Sequence, residues 1–261
     1  MRKSIAVLIL IYLSFILLLS LSGVGGFAGG VLYFLAFILP IVAGVIFAVK
    51  SGAARGVLIR KERLLPSLAF FAPSLILIIG ISALTSYLLS LLGMGNITDV
   101  SGDIWLVLLR RALLPALLEE MLFRFLPARL LAARSPRAVM LVSPLLFALI
   151  HLNLFQIPYA LFAGGVLAFL TLATGSILPA VILHFVNNAL SVIWMRNPDF
   201  TLTIIIAVSV LATLSLVYIL VRRREYASWV REVFSGERVG FFPELAAVAV
   251  ILLAAAILNL R

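Results

Sequence analysis

The sequence predicts an all-α bundle of membrane-spanning helices, and its composition and pattern support that fold class. Hydrophobic residues make up 64% of the 261 residues, whereas charged residues make up only 11%. A soluble domain carries about 25% charged residues, so this chain is too apolar for a surface in water. Apolar stretches of about 17 to 25 residues recur along the chain, and a helix of that length crosses a hydrocarbon layer roughly 30 Å thick. We therefore expect one integral membrane domain over residues 1–261.

Nine apolar stretches are predicted to be helices, and eight remain if one terminal stretch does not span. They cover residues 5–22, 31–49, 67–92, 104–126, 138–152, 156–174, 177–195, 201–221 and 244–260. The first stretch follows a basic start, and its apolar run of about 17 residues is longer than a typical signal-peptide core. We expect it to be retained, with removal as a signal peptide as the alternative. The polar segment 222–240 has helix-like spacing and predicts a solvated or interfacial helix.

The net charge of +10 could indicate a nucleic-acid-binding protein, but the cations collect in alternate loops. These are Arg2, Lys3, Lys50, Arg55, Arg60, Lys61, Arg63, Arg129, Arg134, Arg137 and the segment Arg222–Arg238. The remaining loops are nearly free of cations and include the Gly-rich turn Gly23–Gly30 and the acidic residues Asp99 and Asp103. The positive-inside rule then predicts a multi-pass plasma-membrane protein with a cytoplasmic N-terminus. Its partner is the lipid bilayer, not nucleic acid.

Two carboxylates and one arginine lie in the segment Leu117–Leu126 of the fourth stretch, where a charged group costs about 2.5 to 3.5 kcal/mol on insertion scales. In a helix, Glu120 and Arg124 are four residues apart on one face and can form an ion pair. Glu119 projects about 100° away around the helix and is left without that partner. We therefore interpret Glu120 and Arg124 as structural and Glu119 as a candidate base.

The two histidines of the chain lie in two other apolar stretches. Phe147 precedes His151 by one helical turn, so the ring can pack beside the imidazole. His184 and Asn188 are also four residues apart, so an imidazole and a carboxamide on one face can both donate hydrogen bonds to an oxyanion. The sequence contains no cysteine, which excludes disulfides, thiolate metal sites and a cysteine nucleophile.

A structural interpretation exists for each of these features taken alone. An ion pair holds helices together, and an intramembrane His or Asn, such as Asn187, often forms hydrogen bonds between helices. Arg110 and Arg111 can extend their side chains to the membrane surface. An unpaired Glu together with two His inside apolar spans nevertheless favours a reacting site over chance packing.

Three motifs in this region resemble those of the CPBP family of intramembrane proteases, which includes the type II CAAX prenyl endopeptidases and bacteriocin-processing or immunity proteins. The E-E-x-x-x-R motif appears at Glu119–Arg124, F-x-x-x-H at Phe147–His151 and H-x-x-x-N at His184–Asn188. The motifs occur in the family's order, and the resemblance extends over a motif-bearing core of about 104–195.

The resemblance implies an eight-helix core and an endopeptidase activity. A ninth span in this chain would then be an addition at one end of that core. The resemblance also implies that Glu119 and His151 activate a water, that His184 and Asn188 hold the oxyanion, and that Glu120, Arg124 and Phe147 support them. In the prenyl endopeptidases, the reaction releases the last three residues after an isoprenylated cysteine, with the lipid between helices near the cytosolic side. The expected substrate is therefore a lipidated or membrane-embedded peptide.

Whether the site needs a metal is left open by the ligand types. Glu119, His151 and His184 could bind zinc with one open position, but the H-E-x-x-H spacing of many zinc peptidases does not occur. Asn188 is better explained as an oxyanion donor than as a metal ligand. We favour a metal-independent Glu and His pair that needs no cofactor, with zinc as the alternative.

Two other functions compete with proteolysis. A non-catalytic membrane scaffold or immunity-type protein of the same fold would bind another membrane protein, although the complete Glu and His set argues against it. A proton-coupled transporter also uses buried Glu, His and Arg, but the sequence has no similar halves. The motifs specify chemistry and leave the substrate sequence open.

The helix lengths pose a problem of depth within the membrane. Glu119 lies seven residues, or about 10 Å, before Leu126, whereas His151 lies 14 residues, or about 21 Å, beyond Arg137. The two depths agree if the fourth helix continues past Pro127 towards Arg134. We predict this extension with a kink, because proline cannot donate the backbone hydrogen bond there.

Overall fold

A computed structural model describes residues 2–21, 26–52, 59–94, 100–133, 135–236 and 243–258. Ten helices contain most of these residues, and none of the described residues lies in a strand. The helices are α1 (Arg2–Leu21), α2 (Gly26–Lys50), α3 (Lys61–Ser90), α4 (104–131), α5 (Pro136–Leu149), α6 (Ile157–Thr174), α7 (Leu178–Arg196), α8 (Thr201–Val221), α9 (Arg223–Val233) and α10 (Pro243–Leu258). The predicted all-α fold is confirmed.

Six of these helices are long and apolar enough to cross a membrane, namely α1, α2, α3, α6, α7 and α8. α5 and α10 are shorter apolar helices, and α4 is longer but contains the charged residues of the first motif. The nine predicted stretches therefore all correspond to helices, in a bundle that crosses the membrane several times. Five predicted loop residues, Gly23, Arg55, Asp99, Arg134 and Arg238, lie outside the described ranges.

α4 continues past Pro127 to residue 131, as the depth argument predicted. A π turn at Met121–Phe125 comes directly before this proline, and another at Leu109–Leu113 comes before Pro115. π turns are common where the regular hydrogen-bond pattern of a helix is interrupted, and the missing N–H of proline interrupts it here. The proline is therefore accommodated inside the helix, and the chain does not turn away at Leu126.

The carbonyl groups that lose their helical partners near Pro127 receive side-chain hydrogen bonds from neighbouring helices. Leu126 donates to the carbonyl of Met121, which leaves the Leu122 carbonyl for the hydroxyl of Tyr12 at 3.3 Å. The Phe123 carbonyl, four residues before the proline, accepts a hydrogen bond from Ser143 Oγ on α5. Buried polar groups need such partners, so these bonds fix α4 against α1 and α5 beside the motif.

Small residues allow α5 and α6 to pack closely. The position that a Cβ would occupy at Gly164 lies 3.0 Å from the Pro144 Cα and 3.2 Å from Phe147 Cδ1. A Cβ at Gly44 on α2 would likewise lie 2.6 Å from Leu126 Cδ1 on α4. Small side chains let helices approach each other in membranes, so Gly164 brings α6 against the turn of α5 that carries Phe147.

α9 is amphipathic and packs against one end of the bundle. Its apolar side chains Tyr226, Trp229 and Val233 are buried, and the Tyr226 hydroxyl donates to the Pro66 carbonyl at 2.9 Å. Its charged face carries Glu232, which pairs with Arg60 and with Arg63, the latter at 2.9 Å. The segment predicted as a solvated or interfacial helix is therefore a helix whose apolar face is part of the core.

Candidate active site

A cavity of about 610 Å³ lies between α3, α4, α6 and α7, beside the end of α5. The structure brings the four residues predicted to be catalytic to its wall, together with one residue predicted to support them. These are Glu119, His151, His184, Asn188 and Phe147. They come from α4, from α5 and the turn after it, and from α7, so residues up to 69 positions apart in the sequence meet around one space.

The depths of Glu119 and His151 agree once the full helices are considered. Glu119 lies 12 residues before Leu131, or about 18 Å along α4. His151 lies 15 residues after Pro136, or about 22 Å along α5 and its last turn. Because α4 and α5 are joined by a short connection, these similar lengths place both side chains at a similar height above it.

Glu120 and Arg124 do not line the cavity but lie behind it, and both side chains are fully buried. Glu120 Oε1 lies 3.0 Å from an Arg124 guanidinium nitrogen and 2.8 Å from His184 Nδ1. No described residue gives the Arg124 N–H groups or Glu120 Oε2 a well-aligned hydrogen bond. The carboxylate thus joins α4 to α7, and removing it would leave the guanidinium buried without its counter-charge.

The hydrogen bond to Glu120 determines one proton of His184. A carboxylate only accepts hydrogen bonds, so Nδ1 of this imidazole carries the proton. The other nitrogen, Nε2, points towards Glu119 and lies 3.8 Å from its Oε2. That distance is too long for a direct hydrogen bond and leaves Nε2 available to a third group in the cavity.

Glu119 is the more accessible of the two adjacent carboxylates. Its side chain is 16% exposed, whereas that of Glu120 is 0% exposed. Glu119 lines the cavity, and no hydrogen bond joins its carboxylate to any described residue. Two adjacent glutamates therefore occupy different environments, one bound in an ion pair and one facing open space.

His151 is held by the backbone of its own helix. Its Nδ1 lies 2.7 Å from the carbonyl oxygen of Phe147, which can only accept, so Nδ1 donates. In the neutral imidazole, Nε2 then has a free lone pair and can accept a hydrogen bond from a water. This bond fixes both the tautomer and the direction of the ring.

Phe147 packs between the charged group and both imidazoles. Its ring centroid lies 5.1 Å from that of His151 and 5.7 Å from that of His184, nearly perpendicular to each. The Arg124 Cζ lies 4.0 Å from the same centroid. Edge-to-face contacts of this kind favour particular ring orientations. The Phe147 ring therefore helps to orient both imidazoles.

The amide of Asn188 is oriented by its neighbour. Asn187 Nδ2 donates to Asn188 Oδ1 at 3.2 Å, so the Asn188 oxygen is occupied and its NH₂ group remains free to donate. Both residues line the cavity. From the sequence, Asn187 was interpreted as a residue that forms hydrogen bonds between helices. Its position directly before Asn188 was the signal for this second role.

Other cavity residues were not identified from the sequence as site residues. Arg110 and Arg111 line the cavity although they had been interpreted as membrane-surface arginines, and Gln156 and Tyr159 line it as well. Neither arginine forms an ion pair or hydrogen bond with a described residue. Their spacing from Glu119, two turns or more along α4, gave no indication of a shared space.

The described residues contain no group of three or more His, Asp or Glu arranged to hold a metal ion. The zinc alternative needs Glu119, His151 and His184 to converge on one point. His184 Nδ1 is already bonded to Glu120, which leaves only Nε2 as a ligand atom.

Comparison with known proteins gives one match. A model of the family described as type II CAAX prenyl endopeptidase Rce1-like matches residues 100–190, the segment that carries all three motifs up to Asn188. No match was found among curated proteins or among solved structures. The resemblance to this family is thus supported over this segment: residues 100–190 are similar to the type II CAAX prenyl endopeptidase Rce1-like family.

Proposed function

We propose that the chain is an intramembrane endopeptidase that hydrolyses a peptide bond near the C-terminus of a lipidated or otherwise membrane-associated peptide. The observation that carries this proposal is the cavity shared by two oriented imidazoles, a free carboxamide donor and a carboxylate that has no hydrogen bond to a described residue. The family match over residues 100–190 supports the same class of reaction.

In the proposed mechanism, a water lies between Glu119 and Nε2 of His151. The Glu119 carboxylate takes one proton from this water as the hydroxide attacks the peptide carbonyl carbon. The imidazole accepts the other hydrogen of the water and keeps the nucleophile in place. The hydrogen bond from His151 Nδ1 to the Phe147 carbonyl supports this role, because it leaves Nε2 as the acceptor of the neutral ring.

The oxyanion that forms accepts hydrogen bonds from His184 and Asn188. Glu120 accepts a hydrogen bond from Nδ1 of His184, and in the imidazolium form of this residue Nε2–H donates to the oxyanion. The NH₂ group of Asn188 is the second donor. When the tetrahedral intermediate collapses, the C–N bond breaks and Glu119 returns its proton to the leaving amine.

The cavity wall also suits an apolar group attached to the peptide. Its lining includes the apolar side chains of Leu75, Ile78 and Ile79 on α3 and of Leu190 on α7. Burying a lipid chain or an apolar side chain there stabilises the complex by about 0.8 kcal/mol for each CH₂ group. We propose that this wall holds the membrane-anchored part of the substrate while the peptide crosses the polar residues.

The test is hydrolysis by the purified protein in detergent or lipid nanodiscs. A farnesylated C-terminal peptide and its unlipidated counterpart are incubated in heavy-oxygen water, with and without a chelator, and products are read by mass spectrometry. We expect cleavage of the lipidated peptide, one heavy oxygen in the new carboxylate and no effect of the chelator. Loss of activity with the chelator would contradict the metal-independent mechanism, and intact peptide in every arm would contradict the proposed function.

A further inference from the structure

The two ends of the bundle differ strongly in charge. One end, which we call the basic end, carries Lys3, Lys50, Arg60, Lys61, Arg63, Arg129, Arg137, Arg222, Arg223, Arg224 and Arg231. Its chain segments are joined by the ion pairs of Arg60 and Arg63 with Glu232 and by a hydrogen bond from Arg137 to the Phe234 carbonyl. The basic end is therefore one connected surface built from the ends of several helices.

The opposite end has few cations among the described residues. It includes the start of α4 with its N-cap Asp103, the turn between α5 and α6, and the end of α7. Arg196 donates there to the Gly102 carbonyl, which ties the end of α7 to the segment before α4. Arg110 and Arg111 are the other described cations on this side.

The cavity extends from the site towards this opposite end. Its lining includes Ser86 near the end of α3, Arg110 near the start of α4, Gln156 before α6 and Met195 near the end of α7. No cation of the basic end lines the cavity. Phe123, Arg124 and Leu126, which follow Glu119 along α4 towards the basic end, have fully buried side chains.

Loops rich in Lys and Arg remain on the cytoplasmic side of a membrane. This rule counts the Lys and Arg residues of short loops near the ends of spans. The described loops of the basic end are short and lie next to helix ends. The cavity opens away from that side. We propose that the site opens on the non-cytoplasmic face and takes peptides whose membrane-anchored C-terminal part is presented there, an inference that rests on the proposed function for the reaction.

This assignment differs from the arrangement that the family resemblance implies, in which the lipid of a cytosolic protein approaches from the cytosolic side. A substrate of this chain must therefore be exported, or span the membrane, before it reaches Glu119. Proteins that are prenylated and stay in the cytosol would not meet the cavity mouth.

The natural absence of cysteine makes the orientation directly measurable. Ser86→Cys and Ser191→Cys place a thiol in the cavity, and Ser51→Cys and Ser235→Cys place one at exposed positions of the basic end. A Ser→Cys substitution changes the side-chain volume little. Two variants are made at each end, so the orientation can still be measured if one variant fails to fold. Each variant is expressed in cells and treated with a membrane-impermeant maleimide before and after permeabilisation.

We expect both cavity cysteines to react in intact cells and both basic-end cysteines to react only after permeabilisation. The reverse pattern would overturn the inference, as would labelling at both ends or at neither end in intact cells. The labelling needs no turnover, so it is independent of the proposed function. A farnesylated peptide added outside intact cells tests the reaction separately, and its failure to be cleaved alongside the expected labelling would contradict only the proposed function.

Discussion

Replacing Gly164 with alanine tests the packing that supports the site, and Gly165→Ala is a matched control one residue away. A Cβ at Gly164 would lie 3.0 Å from the Pro144 Cα and 3.2 Å from Phe147 Cδ1. A Cβ at Gly165 would have nothing within 4 Å. Both variants exchange the same residue types in the same helix, so they differ chiefly in this close contact.

The size of the effect follows from two opposing contributions. Alanine is favoured over glycine in a helix by about 1 kcal/mol, and this gain applies at both positions. Overpacking a tight contact costs about 1 to 3 kcal/mol, and only Gly164→Ala incurs this cost. The free energies of unfolding of the two variants should therefore differ by about 1 to 3 kcal/mol. For a chain of this size, each 1 kcal/mol corresponds to roughly 2 to 4 °C in Tm.

The assay compares the Tm of both variants in one detergent, followed by intrinsic fluorescence, and their rates of peptide cleavage. We expect Gly164→Ala to have the lower Tm and a lower cleavage rate, because the added methyl group displaces Phe147, which contacts both imidazoles. Gly165→Ala should match or exceed the wild-type Tm and keep the wild-type rate. Equal Tm values and equal rates for the two variants would refute the reasoning.

Three further substitutions probe contacts around the site. Glu120→Gln leaves the buried Arg124 guanidinium without its counter-charge and should destabilise the fold by about 3 to 5 kcal/mol, and an unchanged Tm would contradict this. Ser143→Ala leaves the Phe123 carbonyl without its side-chain partner and should cost about 1 to 3 kcal/mol in denaturant unfolding, whereas no loss would show that the carbonyl is satisfied otherwise. Glu232→Gln breaks partly exposed ion pairs and should change stability by no more than about 1 kcal/mol, less at high salt; a larger change would show that these pairs are not screened.

Most of the fold could be predicted from the sequence because a membrane helix has a strong signature. Continuous apolar length alone located nine helices, and the depth argument predicted that α4 continues beyond Pro127. The side-chain hydrogen bonds that support the π turn at Met121–Phe125 could not be predicted, because Tyr12 and Ser143 reach its carbonyls from other helices. Such contacts lie 110 and 20 residues apart in the sequence and leave no local pattern.

The site was predictable where its residues share one helix face, and not where its geometry depends on packing between helices. Spacing alone paired Glu120 with Arg124, as the structure has it. The hydrogen bond from His184 to Glu120 joins two helices 64 residues apart, and nothing in the local pattern specifies which adjacent glutamate receives it. The catalytic roles proposed for Glu119 and the two histidines remain predictions that await kinetic measurement.

The most direct test of the proposed chemistry is the single-turnover cleavage rate of Glu119→Gln. Glu62→Gln is the matched control, because Glu62 is exposed at the start of α3, away from the cavity. Loss of a general base should slow hydrolysis by about 10² to 10⁴-fold, with a Tm close to that of the wild type because Glu119 forms no hydrogen bond with a described residue. Glu62→Gln should keep the wild-type rate. A folded Glu119→Gln protein that cleaves as fast as the Glu62→Gln control would contradict the central claim that Glu119 activates the water.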